Sequence, residues 1–132
     1  MRILHVTLSD GPGGADRAAK RLNNEFNNHK ELNIYSKLLV SRKTSDLRNI
    51  LTYNNKISEI YSLGKSFMSQ KIQKLQISKN KVLHSSSCMP CGLDKYLNKA
   101  PFDLIHLHWV QAEMLSIETI GRIKKPLVWT LH

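Results

Sequence analysis

The sequence has no apolar run approaching the ~18 residues that a membrane-spanning helix needs, so no transmembrane anchor is expected in its 132 residues. Its opening, MRILHVTLSD, is too short and too polar to be the apolar region of a secretory leader. Those absences make the cytoplasm the default compartment. Cysteine is nearly missing: Cys88 and Cys91, in SSSCMPCGLDK, are the only two. A zinc site takes four ligands, usually two such pairs or one pair with histidines. His84 is near, but no second cluster has matching spacing. Two reduced structural cysteines are therefore expected, with a redox pair or a metal site as the alternative. Acidic residues are scarce, 10 against 20 Lys and Arg, for a net charge of +10. That excess favours an anionic partner: nucleic acid, a phosphorylated substrate or an anionic membrane surface. Repeats and low-complexity tracts are also lacking. What remains is a 41% apolar chain long enough for one domain with a sizeable core.

What the sequence does have is alternation. Residues 2–8, RILHVTL, read as a buried strand. A Gly/Pro loop follows from Ser9 to Gly14. From Ala15 the pattern turns helical, with Ala15, Ala18, Ala19, Leu22 and Phe26 on one face and an end near Asn27, Asn28 and His29. Residues 34–40 read as a second strand, and the polar stretch 41–55 as a mobile loop. A longer helix is predicted over 56–77, with an apolar stripe through Ile57, Ile60, Tyr61, Phe67, Met68, Ile72 and Leu75. A short strand fits 81–84. A helix over 92–100 stops before Pro101. A strand over 103–109, a helix near 114–124 and a strand over 127–131 complete the chain. PLVWTL within the last reads as buried on both faces. Strands alternating with helices predict an α/β fold, a Rossmann-like doubly wound parallel sheet.

In such sheets ligands bind beyond the carboxyl ends of the strands, and a Gly-rich turn lets phosphate approach N–H groups at a helix N-terminus. Gly11, Gly13 and Gly14, in SDGPGGADRAAKRL, suit that role. Their spacing is not G-x-G-x-x-G, Pro12 supplies no N–H, and a plain strand-to-helix turn is the alternative. Asp10 either caps the turn or hydrogen-bonds a sugar hydroxyl. Arg17 and Arg21 are solvated charges or anion contacts. His106 and His108, in IHLHW, share a face of their strand, and His108 lies nearer the carboxyl end. They are packed histidines, catalytic ones or an H-x-H metal pair, although no third ligand is evident nearby. His132 falls at the end of the next strand, and two neighbouring strands ending in histidine point to a site at that rim. Residues 56–81 carry six lysines and one acid, Glu59. They form either the solvated face of a packed helix or a contact with an anionic membrane.

MRILHVTLSDGPGGADRAAKRL together with FDLIHLHWVQAEMLSIETIGRIKKPLVWTLH resembles the N-terminal half of glycosyltransferase family four. The likeness is to bacterial members that assemble polysaccharides such as O-antigen, capsule and colanic acid. It is strong at both ends of the chain and weak across 41–80. The resemblance implies a GT-B enzyme, two Rossmann-like domains facing across a cleft. The N-terminal domain would hold a lipid-linked or saccharide acceptor. The C-terminal domain would hold the sugar nucleotide through a glutamate-containing motif. Transfer would retain configuration, with no metal and no cofactor besides the donor. By the same resemblance Gly13 and Gly14, with Gly11, lie beside the donor phosphates and the acceptor. His108, with His106 second, contacts the donor sugar near the transferred carbon, and His132 matches a family histidine.

Family members continue beyond WTLH into further strands and a second domain. Residues 1–132 are therefore expected to be a partial N-terminal domain without the donor-binding domain. Alone it is expected to be inactive, and a separately encoded C-terminal half is one partner that would complete it. Its last strand is expected to become a sheet edge. The competing expectation is a small basic protein that binds nucleic acid through its +10 charge and through Tyr53 and Tyr61. No recognised nucleic-acid motif favours it.

Overall fold

The computed structural model describes residues 1–53, 64 and 91–132. The predicted helix over 56–77, the strand over 81–84, Cys88 and, Gly64 apart, the lysine-rich stretch lie outside the described residues. The strands are β1 (Arg2–Ser9), β2 (Tyr35–Arg42), β3 (Ile50–Thr52), β4 (Leu104–Leu107) and β5 (Leu127–Trp129). The helices are α1 (Gly14–Asn28), α2 (Leu93–Lys99) and α3 (Ile117–Gly121), with a 3-10 turn at Lys30–Leu32. The five strands form one parallel sheet in the order β3-β2-β1-β4-β5, the Rossmann-like α/β arrangement. No described helix is long and apolar enough to cross a membrane.

β1 and β4 lie at the centre. The hydrogen-bonded ladder between them runs from Asp103, whose N–H donates to Arg2 O, to Trp109, whose carbonyl accepts from Leu8 N. On one face Leu4, Val6, Leu8, Leu39, Ile105 and Leu107 pack with Leu93 and Leu97 of α2 and with Val110, Met114 and Leu115. On the other face α1 covers β1 and β2, where Ala19 meets Leu38, Val40 and Ile50.

The structure corrects several expectations. Leu22 is not on the packed face of α1; the buried stripe is Asp16, Ala19 and Asn23. Beside the apolar patch of Leu38, Val40 and Ile50 the sheet presents hydroxyls, so polar groups of the helix find partners there. Thr7 Oγ1 and Ser9 Oγ donate to the two oxygens of Asp16 at 2.9 and 2.6 Å. Ser36 Oγ donates to Asn23 Oδ1 at 2.9 Å. The stretch 41–55 is not loop throughout, because Ile50 enters the core and pairs with Leu38 to start β3.

The helix near 114–124 is shorter than its apolar pattern suggests. Ala112 and Glu113 both have positive φ, 55° and 62°, which no helix accommodates. The helix starts only after Ser116, whose Oγ accepts from Thr119 N. β5 ends at Trp129, although Thr130 N still donates to Leu107 O at 2.9 Å. It is not buried on both faces: Leu127, Val128 and Trp129 are 38, 44 and 46% exposed. β5 is a sheet edge, as expected, with β4 its one neighbour among the described residues.

Candidate functional site

Strand order reverses between β1 and β4, and a crevice at such a switch point is where open α/β sheets place ligands. Three segments meet there: the loop after β1, the turn after β4 and the residues after β5. The loop is fastened from within. Ser9 Oγ accepts from Gly11 N at 3.2 Å while donating to Asp16. A Cβ on Gly13 would stand 2.9 Å from Asp16 Oδ2, so glycine there leaves room for the Asp16 lock. Gly14 opens α1 with free space around its Cα. The first-turn N–H groups of any helix lack acceptors within it, and those of α1 fall at this rim.

Asp10 is buried, and its carboxylate is committed. It accepts from the backbone N–H and hydroxyl of Thr44 at 2.6 and 2.8 Å and from those of Ser45 at 2.9 and 2.5 Å. Burial works against its charge, but the bonds from Ser45 and Thr44 prevail and hold its pKa at about 2. Asp10 therefore ties the loop after β2 to the loop after β1. Lys20 Nζ donates to Asp10 O, and Arg17 Nε donates to Pro12 O at 2.8 Å, so Arg17 folds back on the loop. Arg21 is exposed on α1.

His106 and His108 do share a face, the one that carries α1, and His5 joins them from β1. His5 and His106 are partners in the β1–β4 register. His5 Nδ1 lies 3.1 Å from His108 Nε2, and His108 Nδ1 lies 3.3 Å from His132 Nε2. The three rings form a chain from the core to the rim. His106 Nε2 meets Thr130 Oγ1 at 2.8 Å. His5 and His108 are fully buried, with His5 stacked on Phe26 at 5.8 Å between ring centroids. Burial first, and then the neighbouring His106 and His108, push the pKa of His5 down to about 3. Burial, then His106 and His132, bring His108 to about 4. Burial and His132 lower His106 as well. At neutral pH these three rings are uncharged, each with one N–H to donate and one lone pair to offer.

The turn after β4 is strained. Two consecutive non-glycine residues with positive φ cost on the order of 1–3 kcal/mol each, and Ala112 and Glu113 are such a pair. Trp129 Nε1 donates to His108 O at 3.2 Å and braces the point where β4 gives way to this turn.

The structure thus brings His106, His108 and His132 together, and sets the Gly11–Gly14 loop at the adjoining strand end. His5 was missed. Its signal was present in β1, where His5, Thr7 and Ser9 alternate as a polar set within an apolar strand. Cys91 is half-buried, with its Sγ 3.7 Å from Thr119 Oγ1. No family model, no curated protein and no solved structure matches this chain.

Proposed function

We propose that these residues are the acceptor-side part of a retaining, sugar-nucleotide-dependent glycosyltransferase of GT-B type. It would act in bacterial surface polysaccharide assembly, at the cytoplasmic face of the membrane. One observation carries the reading: a Gly-rich loop at a helix N-terminus and a histidine pair, His108 and His132, lie at adjacent strand ends of the switch point.

Each part has a physical role. The loop of Gly11, Gly13 and Gly14 lets a diphosphate approach the first-turn amides of α1, which favour the charge that builds on a leaving nucleotide. His108, neutral and with both ring nitrogens engaged by His5 and His132, would fix the rim end of this chain, His132, beside the donor sugar and the transferred carbon. His106 stands next to it. No metal and no cofactor take part. The nucleotide itself is held by a second domain across the cleft. These 132 residues alone would bind substrates without turning them over. The net charge of +10 suits a lipid-linked, phosphate-bearing acceptor at an anionic membrane surface.

The test is a titration of the 132-residue chain with UDP- and GDP-hexoses and with a lipid-linked saccharide, followed by the fluorescence of Trp109 and Trp129. Saturable quenching by a sugar nucleotide or an acceptor, weakened in His132→Ala, is expected. No response to any of them, with salt-sensitive binding to random-sequence DNA, would replace the reading with a nucleic-acid-binding one. Turnover by the isolated chain would refute the half-cleft part of it.

A further inference from the structure

β1 and β4 bring together three imidazoles that the sequence keeps far apart; His5 and His108 are separated by 103 positions. We propose that His5, His106 and His108 form a binding site for a late first-row divalent cation, Zn2+ before others. Binding is read directly and does not rest on the transferase reading.

The geometry supports it in three ways. Each ring offers a nitrogen, and the three nitrogens lie within 4.8 Å of one another. His5 Nδ1 and His108 Nε2, 3.1 Å apart, are already near the spacing of two ligands on one ion. Zn–N bonds of about 2.0–2.1 Å at a tetrahedral angle set their nitrogens about 3.4 Å apart. Second, the rings are held from outside. A metal-bound imidazole typically has its other nitrogen on an outer partner that fixes ring and tautomer. His108 Nδ1 has His132 in that position, and the His106 ring is held by Thr130. Third, His5 is costly as a purely structural residue. Its Nε2 is buried with no hydrogen-bond partner among the described residues, a cost that an apolar side chain of similar size would spare. What only histidine supplies there is the Nδ1 atom facing His108.

The donor set selects the ion. Three neutral imidazoles without a carboxylate suit Zn2+, Cu2+ or Ni2+ and not Mg2+ or Ca2+, which require oxygen. His106 is only half-buried, so an ion can enter from its side, and a fourth position stays open for water or another ligand, as in three-histidine zinc sites.

The chain, freed of metal by a chelator, would be titrated with Zn2+ by calorimetry and with Co2+ by visible absorption. One equivalent is expected. The Co2+ complex should show the intense d–d bands of a four-coordinate ion and no sulfur-to-cobalt charge transfer. His106→Phe, at a half-buried position, should abolish binding while far-UV circular dichroism stays native. Thr130→Val should weaken binding about 10- to 100-fold, the usual effect of losing an outer partner. His29→Gln, at an exposed histidine beside Glu25 and Glu31, and the Cys88→Ser/Cys91→Ser pair should bind as the parent does. Absence of Zn2+ binding by the parent chain would overturn the proposal. So would binding that survives His106→Phe or that disappears with the cysteines.

Discussion

On the face of the sheet covered by α2, β1 presents Leu4, Val6 and Leu8, and β4 presents Ile105 and Leu107. On the face that carries α1, the alternate residues of the same strands are His5, Thr7, Ser9, His106 and His108. The two faces differ by one step of the strand period, and they ask for different things. Apolar contacts are non-directional, so the α2 face tolerates any filling of the right volume. Polar groups buried on the α1 face instead need specific partners, and most have one. Thr7 and Ser9 find Asp16, Ser36 finds Asn23, and the histidines find one another. The apolar face is held by volume alone, and the polar face by specific pairs, the histidines among them.

Acid should separate the faces most sharply. His5 and His108 have folded-state pKa values of about 3 and about 4, below the ordinary 6.5. Between those limits the unfolded chain binds more protons, so stability rises with pH. Their contribution is complete above pH 6.5 and is lost as pH falls through about 4 and about 3. Asp10 joins only lower, between 3.8 and about 2. Urea midpoints measured from pH 7.5 to 4 should therefore drop steadily, and His5→Phe should flatten that drop. A parent midpoint independent of pH in this window would mean that the histidines are not buried as described.

Next in size is Leu107→Ala, in the apolar core. A leucine-to-alanine truncation in a core costs about 2–5 kcal/mol, and Leu107 is fully buried. Its effect should be the same at pH 7.5 and pH 5, which distinguishes the two faces by pH dependence as well as by magnitude. Asp16→Ala should follow, at about 1–3 kcal/mol, because it strips Thr7 and Ser9 of their common acceptor. Replacing Thr7 by Val and Ser9 by Ala as well should recover part of the loss, since hydroxyls that are gone need no partner. Chemical denaturation of the single and triple variants would show it, and a triple variant weaker than Asp16→Ala would contradict the lock.

The comparison also explains what was legible beforehand. β1, β2 and β4 announce themselves as apolar runs, α1 follows from its loop, and strand alternation gives the parallel sheet. The strand-end placement of His106, His108 and His132 follows from the same pattern. The polar face was harder to see, because its logic is pairing across distance. Nothing near His5 announces His108, 103 positions away. Asp10 takes its partners from Thr44 and Ser45, 34 and 35 positions on. The face of α1 was drawn through Leu22 because periodicity counts apolar residues, whereas the sheet there receives Asp16 and Asn23. The short α3 was hidden for another reason. Ala112 and Glu113 take up backbone conformations usually left to glycine, and a helical reading ran straight across them.

The smallest effect on stability should come at the rim of the sheet. β5 pairs with β4 on one side, and its residues, Val128 among them, are each more than a third exposed. Val128 lies opposite His106 in the register and so belongs to the α1 face. At 44% exposure, a substitution of this kind usually changes stability by no more than about 0.5 kcal/mol. An open apolar edge is nevertheless a template for pairing with another strand, and a charge placed on it blocks that pairing. Val128→Lys should leave the urea midpoint nearly unchanged and lower concentration-dependent self-association, measured by sedimentation velocity. A large loss of stability would mean that Val128 is packed, and that the α1 face extends as a closed core over β5. Unchanged self-association in a stable variant would mean that the edge is already protected by its twist and its short length.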